Sequence, residues 1–263
     1  PIGRSVGESL WPDKFPREYY ELKRLRADAD EARLGPYWFE AIYQQRCVPI
    51  EGGMFKRDWI RDFSERGNGM GPSPSGEPEY VLSVPKRDTL GRVEGYSEKV
   101  FKKRDCRSFM TVDLAVSQKT SADYFCAALW VVTPDTDQLL SHCTHAHMEA
   151  PAQTAELKRL VSEFSPSFVS IESVGYQLAL VQEAVLRGLP AREYWPRGDK
   201  VARARIAAAR MEAGKIYVRL GAPWRNAYVE ELLTFPNGKH DDFVDVTSMA
   251  AHEIALERTP FVY

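Results

Sequence analysis

The chain has 263 residues, 44% of them hydrophobic and 27% charged, which allows one large packed domain or a medium domain with additions. Its formal net charge of −2 excludes a molecule that coats nucleic acid with its whole surface, but not one with a local basic face. No run of eighteen apolar residues exists, so no membrane helix is expected. The four cysteines, Cys47, Cys106, Cys126 and Cys143, form no C-x-x-C pair, which points to a reduced, cytoplasmic protein. The chain starts at Pro1 rather than Met and shows no signal peptide, so a fragment or a processed product is expected.

Three parts follow in chain order. Residues 1–62 read as a mainly helical extension with aromatic anchors such as Trp11, Tyr19, Trp38 and Tyr43. Residues 63–104 hold the run GNGMGPSPSGEPEY and scattered charges, the composition of a loop or linker. Residues 105–263 are well punctuated. Strands are expected at Phe109–Asp113, Tyr124–Val132 and Leu139–His147, where β-branched and aromatic residues gather. A helix at 153–164 follows from Leu157, Leu160, Val161 and Phe164 at helical spacing. A strand at Phe168–Glu172 and a helix at 176–187, stopped by Gly188, come next. A short strand at 192–195 precedes a helix at 200–213 that ends at Gly214. Ile216–Val218 suits a small strand, and helices at 223–233 and 241–257 close the chain. This order predicts an α/β fold, a mixed sheet with helices on both faces.

Acidic residues stand at the strand ends. Asp113 closes the first strand of the third part, and Glu172 closes the strand VSIE. In open α/β sheets ligands bind where strands run into loops. Asp241 and Asp242 open the last helix, and Asp245 lies four residues after Asp241 and can share its face. Converging carboxylates repel unless cations resolve the repulsion, and Mg²⁺ takes oxygen ligands while keeping several waters. Two such ions suit phosphodiester hydrolysis. Each residue also has a plainer use. Asp113 fits a turn, and Asp241 and Asp242 fit a helix N-terminus with its favourable dipole. Glu172 gains nothing from strand propensity and is harder to explain that way.

With those residues in view, the order Asp-strand, Glu-strand, Asp-Asp-helix resembles the nuclease domain of tailed-bacteriophage terminase large subunits. The phrases TVDLAVSQKTSADYFCAALWVV, VSIESVGYQLALVQE, PRGDKVARARIAAARMEAGKIYV and LLTFPNGKHDDFVDVTSMAAHEI carry the resemblance. The opening stretches GESLWPDKFPREYYELK and WFEAIYQQRCVPIEGGMFKRDWI look like the family's link between ATPase motor and nuclease. The resemblance implies an RNase H-like fold over 105–263 and dependence on Mg²⁺ or Mn²⁺, with two ions. It implies cleavage of concatemeric viral double-stranded DNA during packaging, in the cytoplasm of the infected bacterial host. The implied partners are DNA, the terminase ATPase domain, the small terminase subunit and the capsid portal, with no membrane. By position, Asp113 and Glu172 look like the first two metal ligands, and Asp241 like the third, with Asp242 as an additional or alternative one. Asp245 is assigned to the helix face or to support of the ligands, and Asp123 to a weaker candidacy. No G-x-x-x-x-G-K-[ST] occurs, so ATP hydrolysis is not expected of this chain, which reads as the C-terminal part of a longer protein. A DNA-binding and docking module, and another RNase H-like nuclease of the resolvase or transposase kind, stand as alternatives.

Between Arg187 and Arg225 ten basic residues face three acidic ones, a local surplus of seven in a chain whose total is −2. Such a patch is what phosphate binding needs. Lys200, Arg203 and Arg210 share one helix face by spacing and are the DNA-binding candidates, Lys200 foremost. A solvated helix surface is the plainer account of the same residues. His142, Cys143, His145 and His147 lie on one expected strand, where alternation places Cys143, His145 and His147 on a common face. They lack the second ligand pair of a zinc site.

Overall fold

The computed structural model describes residues 53–67, 73–89, 92–114, 124–172, 185, 188–196 and 198–257. The chain divides between Gly52 and Gly53, and the described residues belong to the second unit. The expected helical extension falls outside them up to residue 52, as do the helix expected at 176–187 (save residue 185) and Asp123.

Nine strands form one mixed sheet: β1 (Arg61–Arg66), β2 (Glu79–Arg87), β3 (Val93–Lys102), β4 (Arg107–Asp113), β5 (Phe125–Val132), β6 (Gln138–Ala146), β7 (Val169–Glu172), β8 (Ala191–Tyr194) and β9 (Ile216–Arg219). Their spatial order is β3-β2-β1-β9-β6-β5-β4-β7-β8. Pairing is antiparallel within β4-β5-β6, and β7 and β8 add parallel beyond β4. On the other side β9 runs parallel to both β6 and β1. Four helices are described: α1 (Ala150–Phe164), α2 (Lys200–Glu212), α3 (Arg225–Thr234) and α4 (Asp242–Glu257).

All eight residues of β5 are buried, as befits a central strand covered on both faces. Its alternation divides the core. Cys126, Ala128, Trp130 and Val132 join the layer under α2, α3 and α4, which supply Ala207, Met211, Tyr228, Leu232, Phe243 and Ala250. Phe125, Ala127 and Leu129 face the other way, onto Leu157 and Leu160 of α1. Helix α2 ends as the sequence suggests: Gly214 adopts a φ of 65°, and the amides of Gly214 and Lys215 bond to Met211 and Arg210. A side chain there would strike the Arg61 guanidinium, 1.9 Å from an added Cβ.

The stretch read as loop or linker, 63–104, carries most of β1 and all of β2 and β3. Charge obscured the strands. In β3 the residues Glu94, Tyr96, Glu98 and Val100 are exposed, and Lys99 reaches Asp135 and Asp137 at 2.8 and 2.6 Å. Pro85 is tolerated because the pairing of β2 with β1 stops at Leu82, leaving β2 paired at that point with β3 alone.

Buried polar bonds fix α4 on the sheet. Thr111 Oγ1 donates to the Val246 carbonyl at 2.9 Å and accepts from Trp130 Nε1 at 2.9 Å. Gln138 Nε2 donates to the Ala250 carbonyl at 2.9 Å. Ser170 donates to Glu253, and Tyr228 pairs with Thr247 at 3.1 Å. Thr111→Val keeps the shape but strands the indole N–H and removes the helix pin. It should cost about 1–3 kcal/mol, read as a drop of some ~2–4 °C in melting temperature per kcal/mol for a domain of this size.

Candidate active site

Two parallel strands bring the first two carboxylates together. Met110, Thr111 and Val112 of β4 pair in register with Val169, Ser170 and Ile171 of β7, so Asp113 and Glu172 stand at matching strand ends. Adjacent strands lie about 4.8 Å apart. Asp113 has the same parity as Thr111, and Glu172 as Ser170, which place both side chains on the α4 face.

From above, α4 offers Asp242 and Asp245, one helical step of three residues apart. Burial pushes the Asp113 carboxyl well above the ordinary aspartate range, and the charges of Asp245, Glu172 and Asp242 raise it further, against Lys200. Burial likewise raises Glu172, reinforced by Asp245 and opposed by Arg203 and Lys200. Asp245 is raised by burial although Lys200 and Arg203 stand beside it. These groups therefore act on one another as a single electrostatic unit.

The cations come from the first turn of α2. Asp199 caps that helix by accepting from the Ala202 amide at 2.7 Å, which fixes the backbone turn that carries Lys200 and Arg203. Lys200 Nζ lies 2.5 Å from Asp241 Oδ2 and 2.6 Å from Asp245 Oδ2. Arg203 Nη2 lies 3.4 Å from Asp245 Oδ1 and 3.7 Å from Glu172 Oε1.

The opposite flank is aromatic and imidazole-rich. His145 Nε2 lies 3.2 Å from Asp242 Oδ2. Its ring stacks on Tyr124 at 4.3 Å and leans on Phe243 at 4.4 Å. His147 stacks on the same tyrosine at 3.7 Å, and His240 meets it edge-on at 5.3 Å. Glu231 of α3 receives the amides of Phe243 at 2.7 Å and Val244 at 3.1 Å, capping α4 from a neighbouring element. Burial pushes its carboxyl up to about 7. Ligand atoms of His145, Glu231 and Asp242 all lie within 4.8 Å of one another, a grouping able to hold a metal ion.

The structure thus gathers Asp113, Glu172, Asp242 and Asp245, with Asp241 at the rim, where 46% of its side chain is exposed. Asp245, assigned by sequence reasoning to the helix face or to support of the ligands, lies among them. Its signal was the i, i+3 spacing from Asp242. Cys143 turns into the core toward Cys126, their Sγ atoms 3.8 Å apart, while His142 faces Phe164 on the other side. Arg210 is far from the carboxylates, bonded to Gln138 and, at 2.8 Å, to the Thr136 carbonyl at the opposite end of the sheet. Other members of the basic run are engaged internally. Arg225 grips Asp62 at 2.8 and 2.9 Å, and Arg192 pairs with Glu253.

This sheet order, with acidic strand ends beneath a closing helix, defines an RNase H-like nuclease fold. The terminase RNase H-like domain model matches residues 110–253, more than half of the chain, and the chain belongs to that family. An endonuclease role in DNA packaging fits the family. The chain is similar to the large terminase nuclease from thermophilic phage G20c with bound magnesium, at 16% identity and a TM-score of 0.50 over 78% of this chain and 99% of that one. It is also similar to the same nuclease with bound zinc, at 16% identity and a TM-score of 0.48 over 74% and 95% of the two chains. The human cytomegalovirus terminase nuclease domain follows at 13%, with a TM-score of 0.41 over 56% and 82%. No curated protein matches the sequence. Among the described residues no helix is long and apolar enough to cross a membrane.

The raised carboxyls make a sign test. A carboxyl whose folded pKa lies above its unfolded value stabilises the fold fully at pH below about 3.9, and that contribution is lost as pH rises through the folded value. In EDTA, Asp113→Asn should raise the melting temperature at neutral pH by a few degrees, at about 2–4 °C per kcal/mol, and flatten the decline of wild-type stability between acidic and neutral pH. Calorimetry across that range checks both.

Proposed function

We propose that this chain is a metal-dependent endonuclease that cuts double-stranded viral DNA during genome packaging. The observation that carries the reading is the pair Asp113 and Glu172 at matching ends of neighbouring parallel strands, faced by Asp242 and Asp245. The donor set fits a hard divalent ion, because carboxylate oxygens predominate and like charges are held together in a partly buried place. Asp113, Glu172 and Asp242 are proposed to hold the metal, with Asp241 as an additional ligand from the rim. Mg²⁺ or Mn²⁺, as two ions, is the proposed complement. When bound, such ions supply Lewis acidity to a phosphodiester and lower the pKa of water.

The chain's own residues do the rest. Thr111 and Ser170 hold the two strand ends under α4 through Val246 and Glu253. His145 orients the Asp242 carboxylate, and Glu231 fixes the first turn that presents it. Lys200, at the rim, offers positive charge suited to backbone phosphates and indifferent to base sequence, while Arg203 sits deeper between Asp245 and Glu172. Arg210, bonded within the fold, is a poor candidate for DNA contact. Double-stranded DNA, an ATPase motor domain, a small terminase subunit and a capsid portal are the proposed partners, in the host cytoplasm.

Supercoiled plasmid incubated with the purified chain should be nicked and linearised with Mg²⁺ or Mn²⁺ and left intact with EDTA. Asp113→Ala and Glu172→Ala should each lower the rate by about a hundredfold or more, the scale of losing a main transition-state contact. Equal activity in both variants would show that the site lies elsewhere.

A further inference from the structure

We propose that Lys200 is a tethered cation that competes with the divalent metal for Asp241, and that it turns to a DNA phosphate when the metal displaces it. The inference rests on the metal-dependent reading above. Three observations point to it. The ammonium lies within 2.6 Å of two carboxylates that come from the same helix start as Asp242. Its charge opposes the raised carboxyl of Asp113 and, together with Arg203, those of Glu172 and Asp245. Lastly, Lys200 opens α2, where Asp199 anchors the backbone and a flexible four-carbon stem carries the ammonium, its side chain 34% exposed.

Arg203 has a different part. Its side chain is only 16% exposed and contacts both Asp245 and Glu172. It supplies a lasting counter-charge to Asp245 when Lys200 leaves. A lysine suits the mobile place, because its ammonium is a compact point charge on a flexible stem, whereas a guanidinium prefers fixed, planar partners. Asp241, at the rim, can pass from Lys200 to a metal without disturbing the buried pair.

The test is Mn²⁺ affinity of the full chain, by isothermal titration calorimetry, for wild type, Lys200→Met and Lys200→Arg. Lys200→Met should bind Mn²⁺ about tenfold more tightly, since a unit charge a few ångströms away is removed. Lys200→Arg should stay near wild type. With Ca²⁺ replacing Mn²⁺, Lys200→Met should bind duplex DNA more weakly, with a salt dependence shallower by about one charge. Unchanged or weaker Mn²⁺ binding by a folded Lys200→Met overturns the inference alone, provided the wild type binds and Asp113→Asn does not. Unchanged DNA affinity overturns the second half of it. A wild type that takes up no Mn²⁺ overturns both the inference and the reading beneath it.

Discussion

Two carboxylates at the matching ends of adjacent parallel strands are costly, and the architecture answers that cost. Unit charges about 5 Å apart repel by roughly 3 kcal/mol at the effective dielectric of a protein surface. Register makes the meeting unavoidable: once β4 and β7 pair in parallel, Asp113 and Glu172 must end side by side. Strand β4 is held by β5 over its whole length, from Arg107 opposite Val132 to Asp113 opposite Cys126, so its end cannot shift to relieve the repulsion. Burial raises both carboxyls further. A site built this way is poised to take up positive charge.

That charge can be used only if the covering helix is held at one rotation and one height. The pins along α4 are spaced for this: Val246 to Thr111, Ala250 to Gln138 and Glu253 to Ser170. They reach β4, β6 and β7, three different strands, so a slide along any one would break bonds to the others. Each is a buried polar bond whose loss leaves a group unsatisfied, which makes the seating specific as well as stable.

Much of this was legible from the residues. Strands β4 to β7 followed from runs of apolar and β-branched residues, and the ends of α1 and α2 from spacing and Gly214. Asp113 and Glu172 stood out because an acid at the end of an apolar strand has few local uses. The stretch 63–104 was not legible. Its strands carry charges on an exposed ribbon, and their pairing partners are distant in sequence, as with Arg66 and Glu98 or Lys103 and Glu65. The basic run misled in a similar way. Sequence shows a surplus of positive residues, but not that Arg225 is taken by Asp62 or Arg192 by Glu253, because ion pairing is a tertiary fact. Asp245 kept two readings because spacing alone leaves a helix acid equally suited to the dipole and to the site.

The two acids of α4 divide the site into flanks of opposite chemistry. Three residues along a helix advance by about 4.5 Å and turn by 60° short of a full circle. Over that step Asp242 meets His145 on the β6 side and Asp245 meets Lys200 and Arg203 on the α2 side, yet both still act on Asp113. One flank offers an imidazole and an aromatic wall, the other two cations from one capped helical turn. Asp113 lies under both, so the charges of Asp242 and Asp245 bear on the same carboxyl. The helix is thus the element that carries one acid to the α2 cations and the other to the imidazole flank while holding both over one strand end. Glu231 of α3 caps the first turn of that helix, so a third element fixes where both acids stand.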